Sequence, residues 1–170
     1  DYQQLTTSAQ LQRQRANWER LISYFDRFIA QRPRDGAIEN AYFLRARTWD
    51  GLAQASGSRS DAEEAIRLYL DLVNRFPGSR FADDALFHSG DIAQQRLNDQ
   101  DRAVILYRRV IHDTPTGDMV SEARKKLAAL SVSVEPESVI TALEQHQYEE
   151  IAQVPRLESI RYWSGPEYTR

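Results

Sequence analysis

The side chains best suited to hold a metal or move a proton are the three histidines, His88, His112 and His146. A zinc hydrolase needs histidine or carboxylate ligands at workable spacing plus a general base. No HExxH or HxE spacing surrounds any of them, so the sequence predicts no metal site and no cofactor in this chain. His112 falls near a helix end, where a histidine favours the helix dipole. There are no cysteines, which excludes thiolate zinc, disulfides and a cysteine nucleophile. Neither GxGxxG nor GxxxxGK[ST] occurs, so no phosphate cradle is encoded. The 25 acidic residues cannot by their number define a catalytic triad. Trp18, Trp49 and Trp163 could serve as ligand platforms, but Trp18 and Trp49 lie on or beside apolar helical stripes and are expected to pack. The pairs Arg108-Arg109 and Lys125-Lys126 read as solvated faces rather than an anion site.

The net charge of −3 over 170 residues argues against a nucleic-acid partner. No run approaches 18 apolar residues, so no membrane-inserting helix is expected. Asp1-Tyr2-Gln3-Gln4 has neither a basic nor an apolar region of a signal peptide, and the chain reads as a piece of something longer.

The elements that position any site come from an internal repeat. Pro33, Pro77 and Pro115 anchor it. Eight residues after each stands an alanine (Ala41, Ala85, Ala123), and eight before stands an aromatic (Phe25, Tyr69, Tyr107). Twelve before stand Leu21, Ala65 and Ala103, and apolar residues fill the offsets four and five before. These offsets have helical spacing, so each proline ends a helix with one apolar face. Each interval holds two helices. A single hairpin cannot bury stripes on both, so neighbours must stack into a solenoid.

The helices are expected at about 9–31, 37–55, 61–76, 80–97, 100–113 and 118–130. Thr7-Ser8-Ala9-Gln10 and Ser60-Asp61-Ala62-Glu63 read as capping boxes, and residues 56–60 as a loop. Arg124-Lys125-Lys126 gives the last helix a polar outer side, as a terminal helix needs. Pro136–Ile151 carries a weak helical stripe within a linker spanning 131–155.

The pattern resembles the tetratricopeptide repeat (TPR). The segment from Pro77 through Ser79, Ala82, Ala85 and Gly90, followed by Ala103, Tyr107 and Pro115, carries most of the likeness, with Ala46 at the small position of the preceding repeat. The unit Pro-x-Ser-x-x-Ala-x-x-Ala is similar to the TPR subtype of bacterial periplasmic and outer-membrane assembly proteins. The resemblance implies an all-α, right-handed solenoid of helical hairpins over residues 1–130. The alternating run from Leu157 to Trp163, β-branched and aromatic at its end, gives the C-terminal extension β character. It also implies a concave groove for a protein or peptide partner. The family's inner-face positions fall on Asn40, Phe43, Arg47 and Asp50, then Asp84, Phe87, His88, Asp91 and Gln95, then Glu122 and Lys125.

A second resemblance lies in the tail. Ile160-Arg161-Tyr162-Trp163-Ser164, followed by Pro166, Tyr168, Thr169 and Arg170, looks like the first hairpin of the AMIN domain, truncated within residues 156–170. That domain targets bacterial N-acetylmuramoyl-L-alanine amidases and some secretin proteins to the cell envelope. TPR followed by AMIN, with the segment from Gln12 to Trp18, resembles one subfamily of zinc-dependent amidases. It implies a periplasmic location and a peptidoglycan hydrolase domain beyond residue 170, where zinc would be bound. Such a tail, an unpaired hairpin, invites self-association.

Two functions follow as expectations. The first is a non-catalytic interaction scaffold, the TPR region of a periplasmic zinc-dependent amidase. The alternative is a TPR adaptor of outer-membrane or secretin assembly with no attached enzyme. Neither assigns catalysis to this chain.

Overall fold

The computed structural model describes residues 2–130. Every regular element among them is an α-helix: α1 (Tyr2–Thr7), α2 (Ala9–Gln12), α3 (Arg15–Gln31), α4 (Ile38–Ser56), α5 (Arg59–Arg75), α6 (Ala82–Gln95), α7 (Gln100–Asp113) and α8 (Val120–Ala129). The fold is the expected all-helical, TPR-like repeat. The linker, the helix at 136–151 and the AMIN-like tail fall on residues 131–170, outside the described residues.

The three prolines act alike. The residue before each leaves the helical region, because the proline ring crowds its backbone. Arg32, Phe76 and Thr114 adopt nearly one conformation, with φ of −133, −132 and −131° and ψ of 55, 67 and 57°. Each then closes a turn through its carbonyl, which accepts from the amide of Asp35, Ser79 or Gly117 at 2.9–3.1 Å. One sequence signal thus sets the same chain reversal three times, and successive helices return antiparallel.

The stripes fill the core. Tyr69, Tyr107, Ala65, Ala85 and Ala103 are fully buried, as their repeat positions require. Gly90 has a packing reason: a Cβ there would lie 2.6 Å from the Tyr107 ring. Helix α4 packs on α5, α6 on α7, and α8 on α7. Against α3 lie α1 and α2, two short helices where the later hairpins have one long one.

Five local expectations are corrected. The first helix is not continuous over 9–31. It breaks at Arg13-Gln14, where Gln14 is extended, and the next helix satisfies the carbonyls freed by the break. The Trp18 indole N–H donates to the Gln12 carbonyl at 2.9 Å, and the Asn17 amide donates to Leu11 at 3.0 Å. The first capping position is Ser8, whose hydroxyl accepts from the Leu11 amide, and α1 precedes it. The loop at 56–60 shrinks because α4 runs to Ser56 and Gly57 turns the chain at φ +66°, a left-handed conformation that glycine takes readily. Ser58, not Ser60, then caps α5 by accepting from the Asp61 amide. Finally, Lys126 does not join a polar outer side: its ammonium pairs with Asp91 at 2.5 Å and lies over the Phe87 ring.

Candidate functional site

Helices α4, α6 and α8 are the first helices of successive repeats, so corresponding positions on them line up. Phe43 is two residues past Ala41 and Phe87 two past Ala85, while His88 and Lys126 stand three past Ala85 and Ala123. A row of rings results. Phe43 stacks on Phe81 at 4.9 Å and contacts Tyr69 at 5.8 Å. His88 lies parallel over Tyr69 at 5.6 Å. Phe87 packs on Tyr107 at 5.6 Å. Aromatic packing of this kind fixes the spacing between repeats and exposes the polar residues beside the rings.

The residues expected on the inner face divide by what they touch. Phe43 is buried in the ring row, and Phe87 is half-buried there. Asp91 is tied within the fold, accepting from the Tyr107 hydroxyl at 2.6 Å while pairing with Lys126. Asp50 pairs with Arg96 at the C-terminal end of α6, joining the two repeats. Glu122 and Lys125 pair with each other at 2.6 Å on the exposed side of α8. Asn40 and Gln95 are exposed.

Arg47, Asp84 and His88 differ from these. Arg47 is exposed and forms no ion pair among the described residues; its guanidinium sits 6.0 Å over the Tyr2 ring. Asp84 is half-buried, and burial together with the neighbouring Asp83 holds its carboxyl above the usual range. Burial pushes the His88 imidazole toward the neutral form, opposed chiefly by the Asp50 carboxylate. Burial likewise raises the Asp50 carboxyl despite Arg96 and His88 nearby. Arg47, Asp50 and His88 line one cleft of about 520 Å³, whose other side is Tyr2, Thr6 and Gln12 of the N-terminal segment.

Beneath His88 the Tyr69 hydroxyl is buried and has no hydrogen-bond partner among the described residues. In the next repeat the Tyr107 hydroxyl reaches Asp91 and Gln94. The positions corresponding to Asp91 and Gln94 are Arg47 and Asp50, and Asp50 is committed to Arg96.

Sequence reasoning missed the contributions of Tyr2, Gly51 and Gln54 to this cleft. Tyr2 belongs to no repeat, so no offset marks it. Gly51 could have been found by its pairing with Trp18, whose ring a Cβ there would meet at 2.5 Å. Among the described residues no cluster of three histidines or acids could hold a metal ion, and no helix is long and apolar enough to cross a membrane. Arg109 pairs with Asp113, which ties one member of the Arg108-Arg109 doublet to its own helix.

The comparisons with known proteins bear on this face. A family model described as "YfiO: Outer membrane lipoprotein" matches residues 8–112, more than half of the chain. The chain belongs to that family. No curated protein and no solved structure matches it significantly. The matched span covers α3 to α6 and almost all of α7, including the cleft residues Arg47, Asp50 and His88.

Proposed function

We propose that this chain is a non-catalytic protein–protein interaction scaffold of outer-membrane assembly in the bacterial cell envelope. Family membership supports the envelope location and the scaffold role. The alternative foreseen from the sequence, an adaptor with no attached enzyme, agrees better with that family than an amidase does. The amidase reading rests mainly on residues 156–170, which lie outside the described residues.

The observation that carries the binding reading is the cleft between α1 and the row formed by α4 and α6. It gathers a cation without an ion pair, Arg47, beside the half-buried His88 and Asp50. A polypeptide laid along it would meet the Tyr2 ring and polar groups at Arg47, Gln54 and His88. Such alternation suits an extended or helical segment of a partner protein.

Site-specific photo-crosslinking in the native envelope tests this. A photoreactive residue at Thr6 or Gln54, both lining the cleft, should capture a discrete envelope protein, and Arg47→Glu should abolish the adduct. A probe at Arg124, on the exposed side of α8, should capture nothing comparable. Equal capture at all three positions, or adducts indifferent to Arg47→Glu, would remove the cleft from the binding surface.

A further inference from the structure

The first hairpin is incomplete. In the later hairpins α4 has 19 residues and α6 has 14, and each lies along its partner helix. On α3 the corresponding cover is α1 with six residues and α2 with four. Leu5 alone of α1 is buried, in a cluster with Trp18, Ile22 and Leu52. A cavity of about 740 Å³ remains between the short helices and α3, lined by Leu5, Leu11, Leu21 and Tyr24 with Arg20 and Arg27. The exposed large apolar side chains among the described residues are Leu11 and Tyr24, at 38% and 55% exposure, and both line this cavity.

The charge beside it is one-sided. Arg20 and Arg27 stand seven residues apart, two helical turns, and therefore share a face of α3. Neither pairs with a carboxylate among the described residues; Arg27 reaches only the Ser23 carbonyl. The carboxylates of α3 are committed elsewhere, Glu19 to Arg15 and Asp26 to Arg45. Arginines of the later repeats are largely paired, as Arg67 is with Glu64, Arg75 with Asp71 and Arg102 with Glu63. A chain of net charge −3 thus keeps, among the described residues, two cations without ion pairs beside the exposed Leu11 and Tyr24.

We propose that this side of α3 docks an amphipathic helix of a partner polypeptide, whose apolar face fills the cavity and whose rim carries carboxylates for Arg20 and Arg27. The surface adjoins the cleft at Arg47, sharing Tyr2 with it, and does not depend on the function proposed for that cleft. Leucines of the incoming helix spaced i, i+3, i+4 and i+7 complete the hairpin that α1 and α2 leave open. Glutamates flanking that stripe form charge-assisted hydrogen bonds with the guanidinium groups.

The test uses the full chain and a fluorescein-labelled synthetic helix of about five turns, with leucines at that spacing flanked by glutamates. A twin peptide carries lysine for each glutamate. Anisotropy should show the glutamate peptide binding roughly tenfold or more tightly than its twin. The double variant Arg20→Glu with Arg27→Glu should invert that preference, Tyr24→Ala should weaken binding without lowering the melting temperature, and Arg124→Glu, on the exposed side of α8, should leave it unchanged. Failure of the glutamate peptide to bind, or equal affinity for the two peptides, would overturn the proposal. So would phosphatidylglycerol vesicles binding through the same two arginines without peptide preference, which would give the surface to lipid. A concentration-dependent dimer abolished by Tyr24→Ala, without peptide binding, would give it to a second copy.

Discussion

Tyr69 and Tyr107 occupy the same position of consecutive repeats, both fully buried, yet only Tyr107 has a partner for its hydroxyl. Tyr107 donates to Asp91 at 2.6 Å. Tyr69 lies under His88 with its hydroxyl unsatisfied. An unmade buried hydrogen bond costs about 1–3 kcal/mol, and one to a charged group contributes about 1.5–3 kcal/mol. The two phenylalanine substitutions should therefore act in opposite directions. Tyr69→Phe should hold stability or raise it by about 1 kcal/mol, whereas Tyr107→Phe should lower it by about 1.5–3 kcal/mol. Urea unfolding of both variants reads the difference, and equal losses would show that the two hydroxyls are equivalent.

Close packing at Gly90 predicts a steric penalty. A Cβ there meets the Tyr107 ring at 2.6 Å, while one at Gly78 meets nothing within 4 Å. Gly90→Ala should cost about 1–3 kcal/mol through overpacking, despite alanine's better helix propensity. Gly78→Ala should change stability little. Thermal melts of the two variants separate packing from backbone effects.

Asp61 ties the first hairpin to the second. It is 3% exposed and accepts from the two terminal guanidinium nitrogens of Arg15, at 2.8 and 3.1 Å, and from the Ser56 hydroxyl at 2.8 Å. Those hydrogen bonds, Arg15 first, hold its carboxyl below the usual range. The folded protein thus resists protonating Asp61 more than the unfolded chain does. Stability from this group is present above the ordinary aspartate range and is lost as pH falls through the lower folded value. Asp61→Asn should lower stability at pH 7 and flatten the acid limb of the stability–pH curve. An unchanged acid limb would contradict the linkage.

His88 acts in a different window. Burial holds it neutral against the attraction of Asp50, Asp84 and Asp91, with Arg47 adding repulsion. Its folded pKa lies below that of the unfolded chain, near 6.5. Below that value the unfolded state takes the proton first. Stability should fall as pH drops through the histidine range and level off once the folded imidazole protonates too. Asp50 and Asp84, raised by burial, work in the opposite sense in the carboxylate range below. Subtracting the curve of His88→Gln from that of the native protein should isolate the loss as pH falls below about 6.5. A flat difference would place His88 in solvent.

The repeat was legible because proline, alanine and the aromatic recur at fixed offsets, and those offsets carry the packing directly. The break at Gln14 was not legible, since the stripe from Leu11 through Trp18 continues across it. What interrupts the helix is the Trp18 and Asn17 side chains reaching back to backbone carbonyls, a tertiary effect that periodicity does not register. For the cleft, inner-face positions could be counted from the repeat, and Arg47, Asp50 and His88 do meet there. Counting could not reveal that Asp91 is consumed by Tyr107 and Lys126, or that Tyr2 returns from outside the repeat to close the cleft.

The most direct test of the scaffold account is replacement of the native gene by Arg47→Glu, with integral outer-membrane proteins quantified against cells carrying Arg124→Glu. Both residues are exposed, and neither forms an ion pair among the described residues. The account predicts that Arg47→Glu lowers outer-membrane protein levels while the variant itself accumulates normally, and that Arg124→Glu does not. Normal outer-membrane protein levels in Arg47→Glu cells, with defective peptidoglycan cleavage instead, would contradict it.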